Sequence, residues 1–137
     1  MTRLGLDSTA LLTLCVDHPH RGGLLDAFLA ADVVSASALA LTEALAGIDR
    51  LTDSSIDRAD LEDEVRLLWD YVHAVPVDAE CLEHATSLLR QRPLRVSDAI
   101  HLSAALRVGG DLTWATHDPT QLSAAEALGL RLWSPEI

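Results

Sequence analysis

The sequence predicts an α/β fold in which a parallel sheet is covered by helices on both faces. Two observations carry that expectation. Short apolar or β-branched runs alternate with helical patterns along the whole chain, at Leu4–Leu6, Val33–Ser35, Val72–Val77, Leu112–Thr116 and Leu130–Trp133. This is the order of strand–helix–strand units, which build parallel sheets. In addition, two of the runs stop directly at an acid, at Asp7 and near Asp118. A carboxylate that follows a strand lies on the carboxyl edge of the sheet, where open α/β sheets bind their ligands.

Length and charge narrow the reading. The 137 residues suit one domain over positions 1–137, large enough to bury about two-thirds of the unfolded surface. Hydrophobic residues make up 49%, but no apolar run reaches the roughly 18 residues of a membrane span. The start lacks the basic-then-apolar layout of a secretory leader, so the expectation is a cytoplasmic protein without a membrane partner. The 21 acids face only 10 bases, a net charge of −11, and every base is Arg. That balance argues against holding polyanions by net charge and removes any chemistry that needs a lysine amine. An acidic cluster reaches phosphate only with metal ions between.

Taken in order, the first strand ends at Asp7, followed by Ser8, Thr9 and an apolar stretch from Ala10 to Val16 that reads as a helix. Asp7 alone could equally be that helix's N-cap. The breaker-rich stretch Asp17–Gly23 is a loop. Its His18 and His20 lack a third partner nearby and are taken as loop residues rather than a metal pair. Leu24–Ala31 reads as a short helix, and Asp32–Ala36 as a strand.

The segment from Ser37 to Ile48 is a helix of small and apolar residues with one charge, Glu43, in its middle. An unpaired buried carboxylate is expensive, so this Glu is expected to face a pocket. From Asp49 to Asp70 come eight acids and three arginines around a helical apolar stripe of Ile56, Leu61, Val65, Leu68 and Trp69. They read as a solvated acidic face rather than a site. Asp78 is placed as the cap of a helix over Ala79–Arg90. Cys15 and Cys81 fall in apolar helical patterns without metal spacing, the mark of two buried free thiols.

After the break at Gln91–Val96, Ser97 is the expected N-cap of a helix carrying Asp98 in its first turn and His101 one turn on. His101 reads as a core or supporting histidine. A turn at Gly109–Asp111 leads to the strand Leu112–Thr116, then to His117, Asp118 and Pro119. Pro suits the first helical position, so Asp118 is also a cap candidate for a helix over Thr120–Leu128. Gly129 ends it, and a last strand follows.

Asp7 and Asp118 therefore share a sheet edge, while Glu43 and Asp98 are isolated acids in small-residue helices. Two unit charges about 4 Å apart repel by roughly 4 kcal/mol at an effective dielectric near 20. With no Lys to offset this, a divalent cation must, and oxygen-only donors favour Mg²⁺ or Mn²⁺ over zinc.

The four stretches Leu-Asp7-Ser-Thr-Ala-Leu-Leu, Ala-Leu-Thr-Glu43-Ala-Leu, Ser-Asp98-Ala-Ile-His-Leu-Ser-Ala-Ala and Ala-Thr-His-Asp118-Pro-Thr-Gln-Leu resemble the acidic motifs of the PIN-domain ribonucleases. The likeness extends over essentially the whole chain and is nearest to the VapC toxins of type II toxin–antitoxin pairs. The resemblance implies a PIN-like three-layer α/β/α fold with a five-stranded parallel sheet. It also implies hydrolysis of RNA by water activated on Mg²⁺ or Mn²⁺, homodimers, and inhibition by a cognate antitoxin protein. Carried over by position, Asp7, Glu43, Asp98 and Asp118 are the catalytic and metal-binding acids, with Asp7 and Asp98 the first candidates for direct coordination. Ser8 or Thr9, and Thr116, take the hydroxyl positions that often neighbour the metal in the family. Pro119 departs from the polar or basic residue that many relatives have after the last acid. Arg90, Arg92 and Arg95, clustered before Asp98, are candidates for holding the RNA backbone.

Three alternatives compete with this reading. A receiver-type regulatory domain would need a Lys. An aspartyl-nucleophile phosphatase would need an acid where Thr9 stands. The third is a catalytically weak PIN-like domain kept for binding or as a scaffold.

Overall fold

The structure, a computed structural model, describes residues 1–134. The last three positions of the expected domain lie outside the described residues. Five strands form one parallel sheet: β1 (Arg3–Leu6), β2 (Val33–Ser37), β3 (His73–Val75), β4 (Leu112–Ala115) and β5 (Arg131–Leu132), in the order β3-β2-β1-β4-β5. Seven helices connect them: α1 (Ser8–Thr13), α2 (Arg21–Ala30), α3 (Ala38–Ile48), α4 (Ser55–Trp69), α5 (Ala79–Gln91), α6 (Val96–Val108) and α7 (Pro119–Ala127).

Alternation along the strands divides the core in two. Leu4, Leu6, Val34 and Ala36 pack against buried residues of α1 to α4, among them Leu11, Leu24, Phe28, Ile48 and Val65. Leu112 and Trp114 point the other way, onto Leu88, Leu102, Ala105 and Ala124 of α5 to α7. The result is the three-layer α/β/α arrangement expected from the strand–helix alternation. Gly5 pairs with Trp114 across β1 and β4 and is needed there: a Cβ would lie 2.9 Å from both Leu112 Cδ2 and Trp114 Cε3.

Several boundaries move. The third strand is confined to His73–Val75 rather than Val72–Val77, ending before Pro76, which has no N–H for the ladder. The second helix begins at Arg21, inside the stretch expected to be loop, despite Gly22 and Gly23. Ser97 is not the cap of α6; the helix begins at Val96 with Arg95 in the cap position, and Asp98 remains in the first turn. Asp78 does cap α5, accepting from Cys81 N at 3.0 Å. Both cysteines are buried and free, and burial pushes the Cys15 thiol up to about 11. Among the described residues no helix is long and apolar enough to cross a membrane.

The strand order fixes where a site can form. From β1 the chain steps outward through β2 and β3, then returns to the other side of β1 for β4. The carboxyl ends of β1 and β4 thus flank the point where the winding reverses, which opens a crevice between the loops that leave them.

Candidate active site

Asp7 stands at that crevice, buried, as the first residue after β1. It keeps the capping bond: Oδ1 accepts from Ala10 N at 2.9 Å and from Thr9 Oγ1 at 2.7 Å. Its other oxygen, Oδ2, accepts from Thr116 Oγ1 at 2.5 Å. Its backbone N–H donates to Ala115 O at 3.3 Å, so the ends of β1 and β4 are tied together through one residue. Burial pushes the Asp7 carboxyl above its ordinary range, and the Thr116, Ala10 and Thr9 donors oppose that rise. Thr116 is shared further, since its Oγ1 accepts from Asp118 N at 3.1 Å.

Asp118 caps α7, with Oδ1 accepting from Thr120 N at 2.9 Å and Pro119 at the first helical position. Asp98 is buried in the first turn of α6, where its Oδ1 accepts from Gln121 Nε2 at 2.8 Å. A guanidinium joins these two acids. Arg95 donates to Asp98 through Nε at 2.9 Å and Nη2 at 3.2 Å, and to Asp118 through Nη2 at 2.8 Å.

Glu43 reaches the same crevice from α3, where its side chain accepts from His101 Nε2. That bond, with lesser help from Ser8, holds the Glu43 carboxyl below its ordinary range against the opposing effect of partial burial. The other ring nitrogen of His101, Nδ1, lies 2.9 Å from Ser37 Oγ at the end of β2. His101 is thus a supporting histidine, as its position in the helix suggests.

All four acids line one cavity of about 410 Å³, together with Ser8, Thr9, Ser97, His101 and Gln121. Of the three arginines grouped in sequence before Asp98, only Arg95 lines it; Arg90 lines a separate hollow with Glu83 and His84 of α5, and Arg92 another with Pro119 and Thr120. Arg50, counted in sequence only as part of the acidic segment, lines the cavity from the far end of α3. Gln121 gave no sequence signal beyond lying one turn after Asp118.

The donor set suits a hard cation. Four carboxylates share the cavity with hydroxyls, and Gln121 Oε1, although buried, has no hydrogen-bond partner among the described residues. The acids are not drawn tight: among the described residues no three of the four carboxylates each bring an oxygen within 4.8 Å of the other two. Arg95 supplies the positive charge between Asp98 and Asp118, on a side chain that is 73% exposed.

The sequence profile of the PIN domain family matches residues 5–127. Ribonuclease VapC46 of Mycobacterium tuberculosis is 30% identical over 137 residues, covering 98% of this chain and 99% of that protein. Two solved structures share the fold. A toxin–antitoxin complex from Klebsiella pneumoniae superposes with a TM-score of 0.72 at 16% identity, covering 97% of this chain and 98% of the other. VapC20 of M. tuberculosis, described as a sarcin–ricin loop cleaving toxin, superposes at 0.68 with 19% identity, covering 88% and 94%.

Proposed function

The chain belongs to the PIN-domain family, and from that premise we propose that it is a metal-dependent endoribonuclease of the VapC type, the toxin of a toxin–antitoxin pair. The observation that carries the reading is the meeting of Asp7, Glu43, Asp98 and Asp118, from four separate segments, on one cavity at the reversal point of the sheet.

Bound Mg²⁺ or Mn²⁺ would supply Lewis-acid polarisation of the phosphoryl oxygen and a water of lowered pKa. Asp7 and Asp98, the two most buried acids, are the residues to hold it, with Asp118 and Glu43 completing the set. Thr9 and Thr116 fix both Asp7 oxygens in place. His101 orients Glu43, whose carboxylate would take a proton from an attacking water or hold that water by hydrogen bonds. Arg95 acts as the counter-ion of Asp98 and Asp118 and, once it swings away from them, joins Arg50 in receiving the RNA phosphates at the cavity. Kinship with Ribonuclease VapC46 supports the RNA substrate, and the fold shared with a toxin–antitoxin complex supports an antitoxin partner; a homodimer completes the reading.

The test is cleavage of RNA by purified protein with Mg²⁺ or Mn²⁺, with EDTA, and by the Asp7→Asn and Asp98→Asn variants. Cleavage should vanish with EDTA and in both variants. Activity surviving either change overturns the metal mechanism. The separation of the acids and the Arg95 bridge favour one second reading, a PIN-like binding or scaffold domain, which gains if calorimetry finds no Mn²⁺ binding to the wild type.

A further inference from the structure

Outside the acidic cavity the fold gathers a second group of metal-binding side chains, which corrects the reading of His18 and His20 as a pair without a partner. His117, nearly a hundred residues away in sequence, comes to lie against both. The ring centroids are 5.2 Å apart for His18 and His20, 5.1 Å for His18 and His117, and 5.8 Å for His20 and His117. One ring nitrogen from each lies within 4.8 Å of the other two, and all three residues are half-buried.

From this we infer that His18, His20 and His117 form a site for a borderline transition-metal ion, Zn²⁺ foremost, distinct from the acidic cavity. Packing alone does not account for the group. His20 Nδ1 and His117 Nε2 are buried without a hydrogen-bond partner among the described residues. Burying a polar nitrogen with no partner is unfavourable, and such orphans in a folded protein call for an unseen ligand or water. Two imidazoles that each carry an unpartnered nitrogen, brought from different loops beside a third, fit an ion. Imidazole suits Zn²⁺, Cu²⁺ and Ni²⁺, whereas Mg²⁺ and Mn²⁺ prefer oxygen donors, so the two sites select different ions.

The geometry needs only a small closure. Tetrahedral nitrogens each about 2.0–2.1 Å from zinc lie about 3.3 Å from one another, so the three rings must draw in by rotating their side chains. The supporting backbone is already fixed. Arg21 donates from Nε to Leu14 O at 3.0 Å and from its backbone N–H to His18 O at 3.0 Å, and His117 N donates to Thr9 Oγ1 at 3.3 Å. One bond has to be given up. His18 Nδ1 accepts from His20 N at 3.0 Å, and it can no longer do so whichever His18 nitrogen binds the ion, because Nδ1 then either faces the metal or carries the proton. Three imidazoles leave a fourth position for water. Because His117 lies between Thr116 and Asp118, an ion here pins the loop carrying Asp118 to the α1–α2 loop.

The inference does not depend on the ribonuclease reading, and its test reads metal rather than cleavage. Wild type, His18→Ala/His20→Ala, His117→Ala and Asp98→Asn proteins are stripped of metal and titrated with Zn²⁺ against a chromophoric chelator, with excess Mg²⁺ present. The wild type and Asp98→Asn should each bind one Zn²⁺ per chain, and the histidine variants should lose at least about tenfold in affinity. Co²⁺ titration of the wild type is the readout that needs no variant to fold: strong visible bands are expected for a low-coordinate, nitrogen-bound ion. Weak six-coordinate bands, no zinc uptake by the wild type, or zinc uptake lost in Asp98→Asn but kept by the histidine variants would each overturn the site.

Discussion

Thr116 shows how a single hydroxyl serves two acids. It donates to Asp7 Oδ2 and accepts from Asp118 N, so it sets the distance between the ends of β1 and β4. Thr116→Val keeps the shape but removes both bonds. Supporting partners of metal ligands typically contribute 10–100-fold, so RNA cleavage should fall by about that factor with near-native circular dichroism. Arg50 acts differently. Among the described residues its side chain makes no hydrogen bond to the acids, and Arg50→Ala should weaken RNA binding while leaving Mn²⁺ affinity unchanged. The slope of log affinity against log salt should drop by roughly 1 if it neutralises one phosphate. An unchanged slope would remove Arg50 from the RNA-binding surface.

At the scale of elements, two contacts decide how the layers meet. Gly5 lets β1 lie flat against the Trp114 ring, which is fully buried and has no room to retreat. Gly5→Ala should destabilise the protein by about 1–3 kcal/mol, the usual cost of overpacking, measurable by urea unfolding. Asp78 joins α5 to α6 by capping the first and accepting from Arg107 Nη1 at 2.8 Å. The Cys81 N–H, and then Arg107, hold its carboxyl below the ordinary value. A carboxyl lowered on folding stabilises above its unfolded pKa, roughly 3.9, and that gain is lost as pH falls through the folded value. Asp78→Asn does not titrate, so wild type should have the higher melting temperature at neutral pH, and the difference should shrink as pH drops below about 4.

For the molecule as a whole, charge and ligand binding are linked. A net charge of −11 opposes the approach of RNA, and under the proposed function Arg50, Arg95 and a bound metal ion would reverse the sign at the cavity. An ion that binds only the folded state must stabilise it. Mn²⁺ at about 100 times its dissociation constant should add about 2.7 kcal/mol to the unfolding free energy of the wild type, read by thermal or urea unfolding. Asp98→Asn should show little of this gain. Equal stabilisation of the variant would mean that the ion binds elsewhere.

What the sequence determined by itself was the layering and the acids. Strand–helix alternation specifies a covered parallel sheet, because buried strands and amphipathic helices have different periods. A lone Glu43 or Asp98 among small apolar residues stands out because a buried charge needs a partner. Asp7 and Asp118 could be placed on one edge because each lies within three residues of the end of a strand. Tertiary structure alone decided what else reaches that edge. Arg95 bridges Asp98 and Asp118, Arg50 arrives from the end of α3, and Gln121 turns inward from α7, while Arg90 and Arg92 go elsewhere. The His18–His20–His117 group was illegible for the same reason. Local spacing reports neighbours one turn or one strand away, whereas the meeting of two loops depends on which strands lie side by side, and here β4 lies beside β1.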